Sequence, residues 1–199
     1  MSALTAAELA SELHRIGAIR FGDFVLKDGR HSPFYVDLRL LIAHPPLLRR
    51  VAAAMLERTQ DLAYDCIAGI PYAGLPLAVA MSLESGRPLI YPRKEAKTYG
   101  TKKLVEGVFK DGDRALVVDD VITTGGAKLE AITPLQEAGL VVSDVVVVVD
   151  REQSGAASLA AAGLALRSVG RISELLAALQ NSGTVPAADV ARAVAFIQS

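Results

Sequence analysis

The stretch Arg114-Ala115-Leu116-Val117-Val118-Asp119-Asp120-Val121-Ile122-Thr123-Thr124-Gly125-Gly126-Ala127-Lys128 constrains this chain more than any other. Ala115 to Val118 is a short apolar run that suits a strand buried on both faces. Two adjacent carboxylates follow where such a strand would end, then two hydroxyl residues and two glycines, and Ala127 to Ile132 reads as the first turns of a helix. Free N–H groups at a helix start, with glycines allowing close approach, make a seat for a phosphate, and Thr123 and Thr124 add hydroxyl donors. Asp119 and Asp120 are placed to hold vicinal sugar hydroxyls or a hydrated divalent cation. The plain alternative is a Thr-capped helix after an Asx-type turn, with no ligand. The paired acids favour the ligand. The P-loop pattern does not fit, because Lys128 precedes Leu129 and lacks the upstream glycine, and the dinucleotide fingerprint is absent.

The rest of the chain supplies the layers around such a strand. Leu4, Leu9, Leu13 and Ile16 have helical spacing and Gly17 is a stop signal. Residues 21–27 and 34–38 read as two short strands around the Asp28-Gly29 turn. A helix opens at Pro45-Pro46 and runs to about Asp61, and another follows from Leu75 to about Ser85. Cys66–Ile70, Leu89–Tyr91, Val145–Val149 and Ala165–Val169 read as further strands. Ala156–Ala162, Ile172–Gln180 and Pro186–Gln198 read as helices. Apolar strands alternating with helices predict one α/β domain over 1–199 with a largely parallel sheet.

Composition narrows the class of protein. Hydrophobic residues at 51% and charged ones at 22% match an ordinary globule, and the net charge of −1 gives no general attraction to nucleic acid. The single cysteine, Cys66, excludes an internal disulfide and reads as a buried thiol. No apolar run is long enough for a membrane span and no secretory signal is visible, so the expected compartment is the cytoplasm.

Residues 117–126 resemble the phosphoribosyl pyrophosphate (PRPP) motif of the type I phosphoribosyltransferases: two apolar residues, two acids, two apolar residues and a Thr/Gly-rich loop. Further segments resemble the orotate phosphoribosyltransferases of that family. Arg93-Lys94-Glu95-Ala96-Lys97 with Gly100 is similar to their catalytic loop, Phe24 to Arg30 with Ser32 to Tyr35 to their N-terminal segment, and Asp150-Arg151-Glu152-Gln153 to the strand end that binds orotate. Details such as Tyr35-Val36-Asp37-Leu38-Arg39 are most similar to the transferase half of the bifunctional uridine monophosphate synthases, and by that resemblance a fused decarboxylase would be expected to begin after residue 199.

The resemblance implies a Rossmann-like fold with a small N-terminal hood over about 1–40 and a mobile catalytic loop over 92–107. It implies transfer of the phosphoribosyl group from PRPP to orotate, giving orotidine 5′-monophosphate and pyrophosphate. Mg²⁺ would be bound through PRPP, with no direct protein ligand. Asp119 and Asp120 would hold the ribose hydroxyls, and Val121 to Ala127 (Val121, Ile122, Thr123, Thr124, Gly125, Gly126, Ala127) would seat the 5′-phosphate. Tyr72 and Ala73 belong to the pyrophosphate loop; Arg93, Lys94, Lys97 and Tyr99 would close over the pyrophosphate, with Lys97, Arg93, Lys94 and Asp120 catalytic. Lys27, Phe34, Tyr35, Thr123 and Arg151 would place the orotate anion.

Two positions depart from many bacterial members. Tyr99 stands where they carry histidine, so the loop has no imidazole there, and Ala73 stands where they carry lysine. Pyrophosphate contacts at Ala73 must therefore come from backbone N–H groups or from elsewhere. The implied assembly is a homodimer with the loop shared across subunits, and a separate orotidine monophosphate decarboxylase is a candidate partner. Two rivals remain at this point. A PRPP-sensing regulator would be expected to lack the cationic loop, and a purine or uracil phosphoribosyltransferase would not need Lys27 and Arg151.

Overall fold

The computed structural model describes residues 4–25, 29, 31–93 and 104–197. Six strands form the central sheet: β3 (Cys66–Gly69), β4 (Leu89–Pro92), β5 (Val105–Glu106), β6 (Ala115–Ile122), β7 (Asp144–Asp150) and β8 (Ala165–Arg171). Their order is β5-β4-β3-β6-β7-β8, with all pairs parallel except β4 and β5. The parallel α/β expectation is met, and β6 lies at the middle of the sheet.

Helices cover both faces, which is why the central strands are apolar throughout. On one face α1 (Ala6–Arg15), α2 (Pro45–Arg58), α3 (Gly74–Ser85) and α6 (Ile172–Asn181) cover the core of Ile67, Leu116, Val118, Val146 and Val148, and α7 (Ala187–Ile197) packs on α6. On the other, α4 (Gly126–Glu137) and α5 (Gly155–Ala161) pack over Ala68, Ala115, Val117, Val145 and Val147. The alternation along β6 follows from the two-residue period of a strand.

Ahead of this sheet, β1 (Ile19–Val25) and β2 (His31–Val36) form an antiparallel hairpin of their own. It is tied to the body by α7, whose Phe196 ring meets Phe34 edge-on at 6.2 Å between centroids. The segment read as a hood, about 1–40, holds α1, this hairpin and the start of the 3₁₀ turn at Leu38. Thr5 starts α1 with a capping box, its hydroxyl accepting from Glu8 N–H while Glu8 Oε2 accepts from Thr5 N–H.

Three features differ from the expectations. A 3₁₀ turn spans Leu38–Ala43, and β5 is a two-residue strand whose sequence is too short to declare itself. β6 is also longer than its apolar run: it continues through both aspartates to Ile122, because Val121 and Ile122 still pair with Val149 and Asp150 of β7. The acids are therefore part of the strand and do not follow it. Cys66 is buried as expected; burial, then the charges of Asp113 and Asp65, push its thiol up to about 11.

Candidate active site

The site lies at the carboxyl ends of β3, β4, β6 and β7, where an open α/β sheet binds its ligands. β6 delivers the two aspartates and the Thr-Gly loop. Gly125, at φ +86°, is the residue before α4, and no side chain caps that helix. The Thr-capped alternative is thus not what forms. Thr124, Gly126 and Ala127 are exposed around an uncapped helix start, which leaves the N–H groups for an anion.

β3 leads to a second loop of the same kind. Ile70 N–H donates to the Val118 carbonyl at 2.9 Å, joining the loop to β6. The Pro71–Tyr72 peptide is cis, Tyr72 is exposed, and Ala73 precedes α3 without a side-chain cap. Gly74 is buried against β6, where a Cβ would stand 2.5 Å from the Val118 carbonyl oxygen. Only glycine fits there without moving the helix or the strand.

The strand period divides the two acids. Asp119 falls on the α4 side with Ala115 and Val117, and Asp120 on the opposite side with Leu116 and Val118. Asp119 is buried. Its Oδ2 lies 2.5 Å from Lys128 Nζ, and its Oδ1 accepts from Asp120 N–H at 2.8 Å. Asp120 is half-buried, and its Oδ1 accepts from Val121 N–H at 2.8 Å. Burial, then the neighbouring Asp119 charge, push its carboxyl up to about 7, against the pull of Lys128. Lys128 escaped the sequence reading, since a lysine in a first helical turn usually reads as solvated.

The catalytic-loop segment is described only at its root. Arg93 N–H donates to the Leu104 carbonyl at 2.8 Å, and Arg93 Nη1 meets Glu106 Oε1 at 2.7 Å across the β4–β5 ladder. A cavity of about 400 Å³ opens beside this root, lined by Ile70, Pro71, Arg93, Asp119, Ala127 and Glu130 among others. It brings the Pro71–Gly74 loop, the root of the Arg93 segment and the β6–α4 turn together. Lys94, Lys97, Tyr99 and Lys27 lie outside the described residues.

On the hood side, Arg151 follows β7, with its N–H donating to the Ile122 carbonyl at 3.1 Å. The turn after it is braced: Asp150 Oδ1 accepts from Glu152 N–H, and Glu152 Oε2 accepts from Ser173 N–H at 2.7 Å. The Arg151 guanidinium carbon stands 5.0 Å from the centre of the Phe34 ring, which is fully buried. Phe34 therefore backs Arg151 from within the core. Tyr35 is half-buried and stacks on Phe24 at 5.6 Å, with Arg20 over both rings.

The fit of Mg²⁺ can be judged from these groups. Among the described residues no cluster of three or more His, Cys, Asp or Glu side chains could cage a metal. A hydrated Mg²⁺ carried by substrate phosphates needs no cage, and the acidic end of β6 suits it. Among the described residues, no helix is long and apolar enough to cross a membrane.

Comparison with known proteins agrees with this geometry. The family described as phosphoribosyl transferase domain matches residues 40–162. The chain is 40% identical over 192 residues to a uridine 5′-monophosphate synthase of Bos taurus, covering 96% of this chain and 40% of that protein. It thus spans about two-fifths of the length of that relative. It is 39% identical over 186 residues to an orotate phosphoribosyltransferase of Cenarchaeum symbiosum, covering 92% of each. Among solved structures, the Leishmania donovani UMP synthase superposes with a TM-score of 0.90 at 40% identity, covering 97% of this chain and 42% of the other. A diacid strand feeding an uncapped glycine turn, on a parallel sheet with these relatives, places the chain in the phosphoribosyltransferase family, among the orotate phosphoribosyltransferases.

Proposed function

We propose that the chain transfers the 5-phosphoribosyl group of PRPP to orotate, giving orotidine 5′-monophosphate and pyrophosphate in the making of UMP. The observation that carries this reading is the register of β6 and β7: Ile122 pairs with Asp150, so the Thr-Gly phosphate turn and Arg151 leave neighbouring strands side by side. A phosphate seat next to a cation suits a phosphorylated sugar meeting an anionic base.

In this reading the N–H groups and hydroxyls from Thr123 to Ala127 hold the 5′-phosphate, and the pair of acids serves the ribose hydroxyls. The pyrophosphate rests on the backbone of the Pro71–Gly74 loop, where Ala73 offers only an N–H. Arg151, backed by Phe34, draws the orotate carboxylate, with Lys27 and Tyr35 beside it. The orotate ring nitrogen attacks the anomeric carbon as the bond to pyrophosphate breaks, its N–H proton leaves to the departing pyrophosphate or to solvent, and the ribose passes through an oxocarbenium-like state. Lys97, with Arg93 and Lys94, stabilises the departing pyrophosphate. Mg²⁺, when bound through PRPP, offsets part of the pyrophosphate charge.

The reading carries with it a cytoplasmic homodimer in which the loop of one subunit serves the site of the other, and an association with orotidine monophosphate decarboxylase. The test is a panel of bases with PRPP, followed by pyrophosphate release. Orotate should be used, and uracil, hypoxanthine and adenine should be poor. Turnover of uracil equal to that of orotate rejects the reading.

A further inference from the structure

Glu106 sits on the two-residue strand β5, at the edge of the sheet, and its backbone is fixed there from three sides. Val105 beside it is buried, and Arg93 N–H closes the ladder onto the Leu104 carbonyl. Gly107 presses on β4, where a Cβ would stand 2.8 Å from the Leu89 carbonyl oxygen. Glu106 pairs with Tyr91, and by the two-residue period of a strand Arg93 shares the face of Tyr91. Glu106 and Arg93 are therefore diagonal neighbours across the ladder, within reach of long side chains. Arg93 Nη1 lies 2.7 Å from Glu106 Oε1, with the two side chains 30% and 33% exposed. Arg93 also lines the cavity that opens beside the 71–74 loop and the β6–α4 turn.

We propose that Glu106 is a positioning residue for Arg93: it orients the guanidinium at the cavity wall, where the pyrophosphate group is received, without touching the substrate. A pair this exposed adds little to stability, so its effect is on order rather than strength. Arginine is long and rich in rotamers, and fixing such a side chain on binding costs affinity. A carboxylate that holds it beforehand removes that cost. The guanidinium is planar, so one contact at Nη1 orients the whole fork of donors. Glu130 lines the same cavity, and an ordered Arg93 offsets its repulsion of a phosphate. This inference rests on the reading of the cavity as the pyrophosphate site, and not on the identity of the base.

The experiment therefore measures binding with no base present. Titration calorimetry compares magnesium pyrophosphate and, separately, PRPP with Mg²⁺ on wild type, Glu106→Ala, Glu106→Gln, Arg93→Ala and Arg93→Ala/Glu106→Ala, with thermal unfolding recorded for each. Glu106→Ala should weaken both ligands about ten-fold, the scale of the charge-assisted contact that Arg93 then makes poorly. Glu106→Gln keeps an oxygen for Arg93 Nη1 and should stay within about three-fold of wild type. On the Arg93→Ala background, Glu106→Ala should have no further effect, as for two residues acting as one unit. In turnover, KM for orotate should change by less than about two-fold. Additive losses in the cycle, or a lower melting temperature with unchanged affinities, would make Glu106 a plain structural partner and overturn the inference. Tighter pyrophosphate binding by Glu106→Ala would mean that the carboxylate masks Arg93, and would overturn it as well. Should Glu106→Ala fail to fold, Glu106→Met takes its place, since it keeps the stem and removes the carboxylate. A wild type that binds neither ligand overturns the cavity reading and the inference together. One that binds both but prefers another base rejects only the orotate reading, and the calorimetric series still decides on Glu106.

Discussion

Gly74 and Asp119 are held so close that a single methyl group on Gly74 would stand 3.0 Å from the Asp119 Cα. The same methyl would lie 2.5 Å from the Val118 carbonyl, and neither backbone atom has room to give. The start of α3 and the acid strand thus define each other's position. Gly74→Ala should lower the melting temperature by several degrees and reduce kcat/KM about ten-fold or more, because the pyrophosphate loop and the acids shift together. Calorimetry and steady-state kinetics on the same preparation check this. Unchanged values for both would show that the contact relaxes at no cost.

Arg151 rests on the buried Phe34 ring, with its strand end braced through Glu152 and Ser173. If it receives the orotate carboxylate, Arg151→Ala should lower kcat/KM for orotate by about 10²-fold, the scale of a lost charge-assisted contact. PRPP affinity in the absence of orotate should change far less. Equal loss of both affinities would move Arg151 to a general structural role.

The pH dependence of stability follows from Asp120. Its carboxyl is raised in the folded protein to about 7 from 3.8, by burial and by Asp119, while Lys128 opposes the shift and Arg39 also faces it. The folded state therefore holds this proton more tightly than the unfolded chain. The resulting stability is fully present below pH about 4 and is lost as pH rises through about 7. Asp120→Asn cannot lose it. Relative to wild type, the variant's melting temperature should be higher at pH 8 than at pH 4.5, by about 2–4 °C for each kcal/mol. An equal gap at the two pH values would contradict the raised carboxyl.

Lys97 lies outside the described residues, and its proposed role is tested by kinetics. Lys97→Ala should lower kcat by about 10²–10³-fold with little change in PRPP affinity, if its charge acts mainly in the transition state. Mixing it with Asp120→Asn then tests the shared site. In a mixed dimer with a shared loop, one site collects both defects and the other neither. Random equimolar reassociation should restore about a quarter of wild-type activity. No recovery after verified subunit exchange would place the loop over its own subunit.

Much of this protein could be read along the chain. The valine run of β7 and the apolar start of β6 declare buried parallel strands, because a strand covered on both faces needs apolar residues at every position. The β6–α4 turn was legible for a similar reason: its acids, hydroxyls and glycines are contiguous, so the strand, the turn and the helix start form from one local segment. What the sequence could not state are relationships across the fold. Asp119 and Asp120 look equivalent in sequence, yet the strand period and the helix on one side bury the first against Lys128 and turn the second away. Phe34 reads as either core or ligand contact until α7 seals it and Arg151 lies against it. Residue type sets which groups are available; which of them lose water, and which charge each then faces, is decided only when distant segments pack.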